Sequence, residues 1–391
     1  MRATSAEVAV QLQDAANSEK VSKRFSIGAE RALINGEITS ASIEITDGFI
    51  TAVDSALPVT AADIHVREGV LSPGFIDCQI NGIADINFFD ADKEQMEEAL
   101  ALLASHGVTA CTPSMISAPI GELVAAINTS DCGEASSANA PRALHLGYHI
   151  EGPFLSEQFA RAHNARYFHD PSRENLQPLL ESGRVAIVTL APERPGALEA
   201  IASIRSAGAI ASVGHSAATY DQMSEAISAG LNMVTHLFNG MDKDVANGII
   251  RAACESEELT VGFIADGIHN DQEKVEWAFA HMGERIALVT DALGSMLGDE
   301  PVRVTGQSPG GAYRNDGTLA GSTLTLDQVL LRAISMGVPL AQALTSATRT
   351  PARALGRRDV GEIRVGARAD LTIFGEGGSI RTWVGGVEVK K

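Results

Sequence analysis

Cysteine is scarce in this chain: Cys78, Cys111, Cys132 and Cys254 are scattered, and no two of them make a CxxC pair. A thiolate-type structural zinc site and a disulfide framework are therefore not expected, and the four residues read as small buried apolar side chains. Basic charge is also in deficit, with Lys plus Arg at 30 against Asp plus Glu at 49, a net charge of −19. That balance argues against nucleic acid or an anionic membrane as a partner. It also means that an anionic substrate would need a local cationic pocket in an acidic protein. No apolar run approaches the roughly 20 residues that span a bilayer. The stretch Met1 to Lys23 lacks the basic-then-apolar layout of a signal peptide, so a cytoplasmic protein is expected.

What is present is a chain of 391 residues, 45% hydrophobic and 20% charged, enough for a large domain with a smaller one attached. Residues 1–24 read as a poorly ordered extension. Short alternating segments follow, Arg31–Leu33, Ser42–Thr46 and Phe49–Val53, punctuated by Asn35-Gly36 and Asp47-Gly48. Asn-Gly and Asp-Gly between apolar runs signal hairpins, because these residues tolerate positive φ. The chain's end has the same character, in Asp370–Phe374 and in Arg381–Val389 with its Gly385-Gly386 turn. Both ends together predict one small β-sandwich domain, residues 25–72 plus 355–391.

The middle, residues 73–354, has a different rhythm. Eight apolar runs recur: Gly74–Ile80, Val108–Met115, Ala143–Ile150, Val185–Leu190, Gly208–Val213, Met233–Phe238, Thr260–Ala265 and Arg285–Val289. Ala-, Glu- and Leu-rich segments such as Lys93–Ser105, Ala197–Ala207 and Tyr220–Ala229 separate them. Alternating β and α units with near-continuous apolar strands indicate a parallel sheet covered by helices, and eight units indicate an α/β, TIM-like (β/α)8 barrel. An open doubly wound sheet competes less well, for want of a phosphate-cradling glycine fingerprint.

Polar residues able to bind metal cluster at the C-terminal ends of these runs, the face on which barrels build active sites. Run 3 ends in His149-Ile150-Glu151-Gly152-Pro153, run 5 in Gly214-His215-Ser216, and run 6 in Thr235-His236-Leu237-Phe238-Asn239. Run 7 leads to Asp266-Gly267-Ile268-His269 and run 8 to Thr290-Asp291-Ala292. A carboxylate and two imidazoles from different strands would make a catalytic metal site with open positions. A carboxylate on run 8 could then shuttle a proton. Taken singly, each has a plainer reading: Glu151 as a buried acid with a structural partner, Asp291 as a helix N-cap. Five such residues on successive strand ends make the joint coincidence the weaker account. His65, His106, His145, His169 and His281 read as surface or packing residues.

In this order, the stretches Pro73-Gly-Phe-Ile-Asp-Cys-Gln-Ile-Asn-Gly82, His149-Ile-Glu-Gly-Pro-Phe154, Thr189-Leu-Ala-Pro-Glu193, Gly214-His-Ser216, Thr235-His-Leu-Phe-Asn239, Ile264-Ala-Asp-Gly-Ile-His269, Val289-Thr-Asp-Ala292 and Leu319-Ala-Gly-Ser322 resemble the N-acetylglucosamine-6-phosphate deacetylases of the amidohydrolase superfamily. The resemblance implies a barrel with a small β domain and a homodimer. It implies hydrolysis of the acetamide of N-acetylglucosamine 6-phosphate, with Glu151, His215 and His236 as ligands of one divalent ion. Zinc is the first expectation for that ion, with iron, manganese or cobalt as alternatives. Asp291 matches the family's general base and acid, and His163 a histidine on the substrate carbonyl. Gln79, Asn239, Gly240, His269, Leu319, Ala320 and Gly321 match substrate contacts. Many superfamily members carry His-x-His where this chain has Gln79-Ile80-Asn81, and amides are poor ligands beside imidazole, so a one-metal site is implied.

One departure stands out. The family's Arg that grips the sugar phosphate has no counterpart in Met241–Arg251; Lys243 is a nearby cation, and Arg251 reads as an exposed helix residue. Two alternatives therefore stay open: a deacetylase for another N-acetyl amino sugar (galactosamine 6-phosphate or an unphosphorylated one), and a non-catalytic sugar-phosphate-binding protein.

Overall fold

The Asn-Gly and Asp-Gly pairs do make tight hairpins. Asn35 and Gly36 have φ of 52° and 86°, and Asp47 and Gly48 have 49° and 85°. Two successive positive φ values match the right-handed twist of the flanking strands. The protein is described from a computed structural model that covers residues 23–56, 58–134, 136, 140–297, 300–304 and 310–390. Of the expected N-terminal extension, residues 1–22 lie outside the described residues, and Arg24 already opens the first strand.

That strand, Arg24–Ile34, pairs antiparallel with Glu37–Thr46, which pairs with Phe49–Asp54. The short strand Val70–Pro73 joins it to the C-terminal strand Leu371–Gly375, through Leu371↔Pro73 and Ile373↔Leu71. Gly378–Val384 and Val387–Glu388 complete the sheet. The two chain ends are thus hydrogen-bonded into one β unit. It has its own core, around Ile27, Ile43, Ile45, Leu71, Leu371 and Trp383, separate from the barrel's.

Eight parallel strands form the barrel: Phe75–Ile80, Val108–Ile116, Tyr148–Glu151, Val185–Leu190, Ile210–Val213, Met233–Val234, Thr260–Phe263 and Ile286–Leu288. Each hydrogen-bonds to the next in sequence order. The ring closes at its C-terminal rim, where the Asp291 amide donates to the Gln79 carbonyl at 2.9 Å and the Asn81 amide to the Ala292 carbonyl at 2.7 Å. Strand 6 is shorter than its apolar run, because the chain leaves the sheet at Thr235 to present His236.

Alternation within the strands sorts the side chains. Val188, Leu190, Val213 and Val234 pack outward under the helices. Ile187, Ile210 and Met233 fill the bottom of the barrel, where Ala352 of the helix Arg349–Ala354 and Val360 plug the N-terminal end. Burying one such aliphatic side chain contributes about 1.5–3 kcal/mol. Above that apolar floor lies a polar layer. His149 Nε2 meets Thr189 Oγ1 at 2.7 Å, Thr189 Oγ1 meets Thr235 Oγ1 at 2.7 Å, and Thr235 Oγ1 meets Ser212 Oγ at 2.6 Å. Because His149 Nδ1 faces the Cys78 carbonyl at 3.0 Å, it carries the proton and Nε2 accepts from Thr189. This satisfied network forms the base on which the candidate site rests.

Of the cysteines, Cys78 and Cys111 are buried as expected, whereas Cys132 and Cys254 are only partly covered, because both follow or end helices at the surface.

Candidate active site at the C-terminal mouth of the barrel

Eight described non-glycine residues have positive φ, and five of them, Arg161, His215, His236, Phe238 and Asp291, line one pocket. Left-handed backbone costs a residue with a Cβ about 1–2 kcal/mol. Such strain collects where side chains must be aimed against local preference. Here it turns His215, His236 and Asp291 off the ends of strands 5, 6 and 8 towards the barrel axis.

The pocket has a volume of about 350 Å³, inside the range of small-molecule sites. On its floor the ligand atoms of Glu151, His215 and His236 lie within 4.8 Å of one another, and all three residues are buried. Glu151 Oε1 is 2.8 Å from His236 Nε2 and 3.2 Å from His215 Nε2, and the two ring nitrogens are 3.1 Å apart. His215 Nδ1 donates to the Phe159 carbonyl at 2.8 Å, which leaves a lone pair on Nε2 directed at the other two. Gln79 Nε2 donates to Glu151 Oε2 at 3.1 Å, so Oε1 is the oxygen left facing the imidazoles. Two nitrogens and one carboxylate oxygen gathered around one point suit a divalent cation, whose tetrahedral ligand edges at zinc–nitrogen distances are about 3.3 Å. Among the described residues, this is the group of His, Cys, Asp and Glu that could hold such an ion.

The electrostatics agree. Burial would raise the Glu151 carboxyl, but the imidazoles of His163, His215 and His236 facing it outweigh burial and hold it well below the ordinary range. Burial, with His163 alongside, pushes His215 down to about 4, keeping it neutral and able to ligate. Burial would lower His236 too, but Glu151 beside it reverses the direction.

Asp291 stands across Gln79 from Glu151. Its Oδ1 accepts from Asn81 Nδ2 at 2.9 Å and Gln79 Nε2 at 3.3 Å. Burial and the Glu151 charge push its carboxyl up to about 7, so it takes up and gives back a proton near neutrality. It caps no helix, since the next one after it is Leu326–Ser335. His163 lines the same pocket with Nε2 3.8 Å from Glu151 Oε1. The Ser117 amide donates to its Nδ1 at 3.3 Å, so the ring proton sits on Nε2, facing the pocket.

Of the other expected contacts, Asn239, Gly240, His269, Leu319 and Ala320 line the pocket. His269 Nδ1 is held by Asp266 Oδ2 at 2.6 Å. Gln79 and Gly321 stand behind the pocket and not on its surface. Gln79 is 1% exposed and bridges the two carboxylates, and a Cβ on Gly321 would meet the Asp291 carbonyl oxygen at 2.5 Å. Gly240 is equally constrained: its φ is 61°, and a Cβ would lie 2.8 Å from His215 Nδ1.

Two cationic side chains line the pocket, Arg161 and Lys243. Arg161 did not stand out in the sequence; its one readable signal is its place two residues before His163. Arg251, by contrast, pairs with Glu255 at 2.9 Å and stacks on Tyr220, away from the site. Asp77 and Ser117 have no role in the sequence reading, and Asp266 and Asn81 none as supports: Ser117 holds His163, Asp266 holds His269, Asp77 holds the turn at Thr290, and Asn81 itself lines the pocket and donates to Asp291.

The amidohydrolase family model matches residues 70–389. N-acetylglucosamine-6-phosphate deacetylase of Lysinibacillus sphaericus is 31% identical over 88% of this chain and 91% of its own length. N-acetylgalactosamine-6-phosphate deacetylase of Shewanella sp. (strain ANA-3) is 33% identical over 87% of this chain and 89% of its own. In three dimensions, a substituted form of N-acetyl-D-glucosamine-6-phosphate deacetylase from Mycobacterium smegmatis, solved in complex with N-acetyl-D-glucosamine-6-phosphate, superposes with a TM-score of 0.85. It is 32% identical and covers 94% of this chain and 100% of its own. The chain belongs to the amidohydrolase family, and it is a hydrolase.

Proposed function

We propose that this enzyme hydrolyses the acetamide of N-acetylglucosamine 6-phosphate to acetate and glucosamine 6-phosphate. The observation that carries the reading is the buried Glu151, His215 and His236 trio with Asp291 one amide away, on the floor of a pocket that also holds His163. The trio would hold one divalent ion, zinc by preference and iron, manganese or cobalt as substitutes, which supplies Lewis acidity and lowers the pKa of water when bound.

The chain's own groups do the rest. Asp291 accepts the proton of the attacking water as the new C–O bond forms on the acetamide carbon. His163 Nε2–H donates to the oxygen on which negative charge develops. Asp291 then returns its proton to the amine nitrogen as the C–N bond breaks, and acetate leaves. Asn239, Gly240, His269, Leu319 and Ala320 enclose the sugar, and Arg161 and Lys243 face its anionic end. Gln79 acts on the carboxylates, with Gly321 leaving room for the peptide that carries Asp291. A cytoplasmic homodimer completes the reading; among the described residues no helix is long and apolar enough to cross a membrane.

A second reading, N-acetylgalactosamine 6-phosphate as substrate, is favoured by the relative of that name at 33% identity. Acetate release measured on both hexosamine 6-phosphates, on free N-acetylglucosamine and with Asp291→Asn decides between them. The faster phosphorylated epimer is the substrate, and Asp291→Asn cuts turnover to a small residual rate with bound metal retained. Full activity in Asp291→Asn would refute the assigned role.

A further inference from the structure

Asp291 sits at the centre of a turn whose polar backbone groups are all taken, by the turn's own Thr290 hydroxyl and by two neighbouring segments. Thr290 Oγ1 accepts from the Ala292 amide at 3.2 Å, folding residues 290–292 around Asp291, whose φ is 48°. The same hydroxyl donates to Asp77 Oδ2 at 2.7 Å, and Asp77 Oδ1 accepts from the amides of Gln79 at 3.1 Å and Thr290 at 3.4 Å. Strand 1 thus grips the turn from one side. From the other, the Ser322 amide donates to the Asp291 carbonyl at 3.0 Å, and Ser322 Oγ donates to the Thr290 carbonyl at 2.7 Å. Asp77, Thr290 and Ser322 are all buried, and none of them lines the pocket.

We propose that Asp77, acting through Thr290, and Ser322 are positioning residues that hold Asp291 in its left-handed conformation and so aim its carboxyl at Gln79, Asn81 and the reacting water. This rests on the role of Asp291 proposed above. It adds a consequence: Ser322 ends the strand Leu319–Ser322, whose residues Leu319 and Ala320 line the pocket, so the segment that encloses the substrate and the brace on Asp291 are one piece of chain. A misplacement of about 1 Å can cost a hundredfold in rate. The threonine hydroxyl is therefore worth far more to turnover than to substrate binding.

The test uses the metal-loaded full chain with Thr290→Val, Thr290→Ser and Ser322→Ala, each also in the Asp291→Asn background. Readouts are kcat and KM on N-acetylglucosamine 6-phosphate, bound metal and the thermal midpoint. Thr290→Val is expected to lower kcat by about ten- to a hundredfold with KM and metal content unchanged, and Thr290→Ser to restore it. Ser322→Ala is expected to lower kcat in the same way from the opposite side, and stands in if Thr290→Val does not fold. Against Asp291→Asn neither variant lowers the residual rate further. An unchanged kcat, or losses of the same size in the Asp291→Asn background, would overturn the proposal alone. Retention of the parent rate by Asp291→Asn would instead overturn the role of Asp291, and this proposal with it.

Discussion

Arg161→Gln tests how a chain of net charge −19 takes a phosphorylated substrate over a floor that already carries Glu151 and Asp291. Arg161 is exposed, held at a φ of 50° on the loop before His163, and pairs with no carboxylate among the described residues. Its guanidinium is therefore available to an incoming anion. A charge-assisted hydrogen bond contributes about 1.5–3 kcal/mol, and exposure at a pocket rim reduces that through solvent and salt screening. About 1–2 kcal/mol is left, or roughly a five- to thirtyfold fall in kcat/KM on the 6-phosphate. Free N-acetylglucosamine has nothing for the guanidinium to hold, so its kcat/KM should not move. Steady-state acetate release on both substrates gives the ratio, and repeating it at rising ionic strength should erode the phosphate preference of the parent more than that of the variant. An equal loss on both substrates would mean that Arg161 shapes the loop and does not bind the anion. No loss on either would leave the phosphate to other groups.

Chelation should abolish turnover and lower the thermal midpoint, both restored by adding back a divalent ion, since binding to the folded state alone stabilises it; full activity in stringently metal-free protein would end the one-metal reading. Gly240→Ala should lose bound metal as measured by elemental analysis, because its Cβ would press on His215 Nδ1 at 2.8 Å and its φ of 61° disfavours any Cβ. Burial pushes Asp77 up to about 7, so between about pH 4 and 7 the folded chain keeps a proton there that the unfolded chain has released, and stability falls as pH rises through that window by about 4 kcal/mol at most. Asp77→Asn should remove this slope, read as the difference between variant and parent in urea unfolding at each pH; parallel curves would show that Asp77 does not change its protonation in the folded state there.

The legible part of this site was the part that chemistry ties to a strand end. Glu151, His215, His236 and Asp291 each follow an apolar run, and a parallel barrel brings the ends of all its strands to one mouth whatever the loops do. What stayed hidden depends on contacts made across the closing seam. Strand 1 shifts register against strand 2 between Phe75 and Ile76 and again between Asp77 and Ile80. The strand is also buried along its whole length, so no polar–apolar alternation tells which face Asp77, Gln79 and Asn81, spaced two apart, present. Period-two spacing groups the three on one face without saying what that face meets, and Gln79 read as a substrate contact when it is a bridge between two carboxylates. Its partner Asp291 lies 212 positions away, and only ring closure makes them neighbours. Arg161 was hidden for a different reason. A left-handed arginine in a loop has no sequence signature, and its meaning comes from facing a pocket otherwise dominated by acids and imidazoles. The hidden residues thus share a property: they support the reacting groups or, like Arg161, line the pocket beyond them, and no bond-making chemistry demands their type. Substitutions there should alter rate and specificity in graded steps, whereas those at Glu151, His215, His236 and Asp291 should be all-or-none.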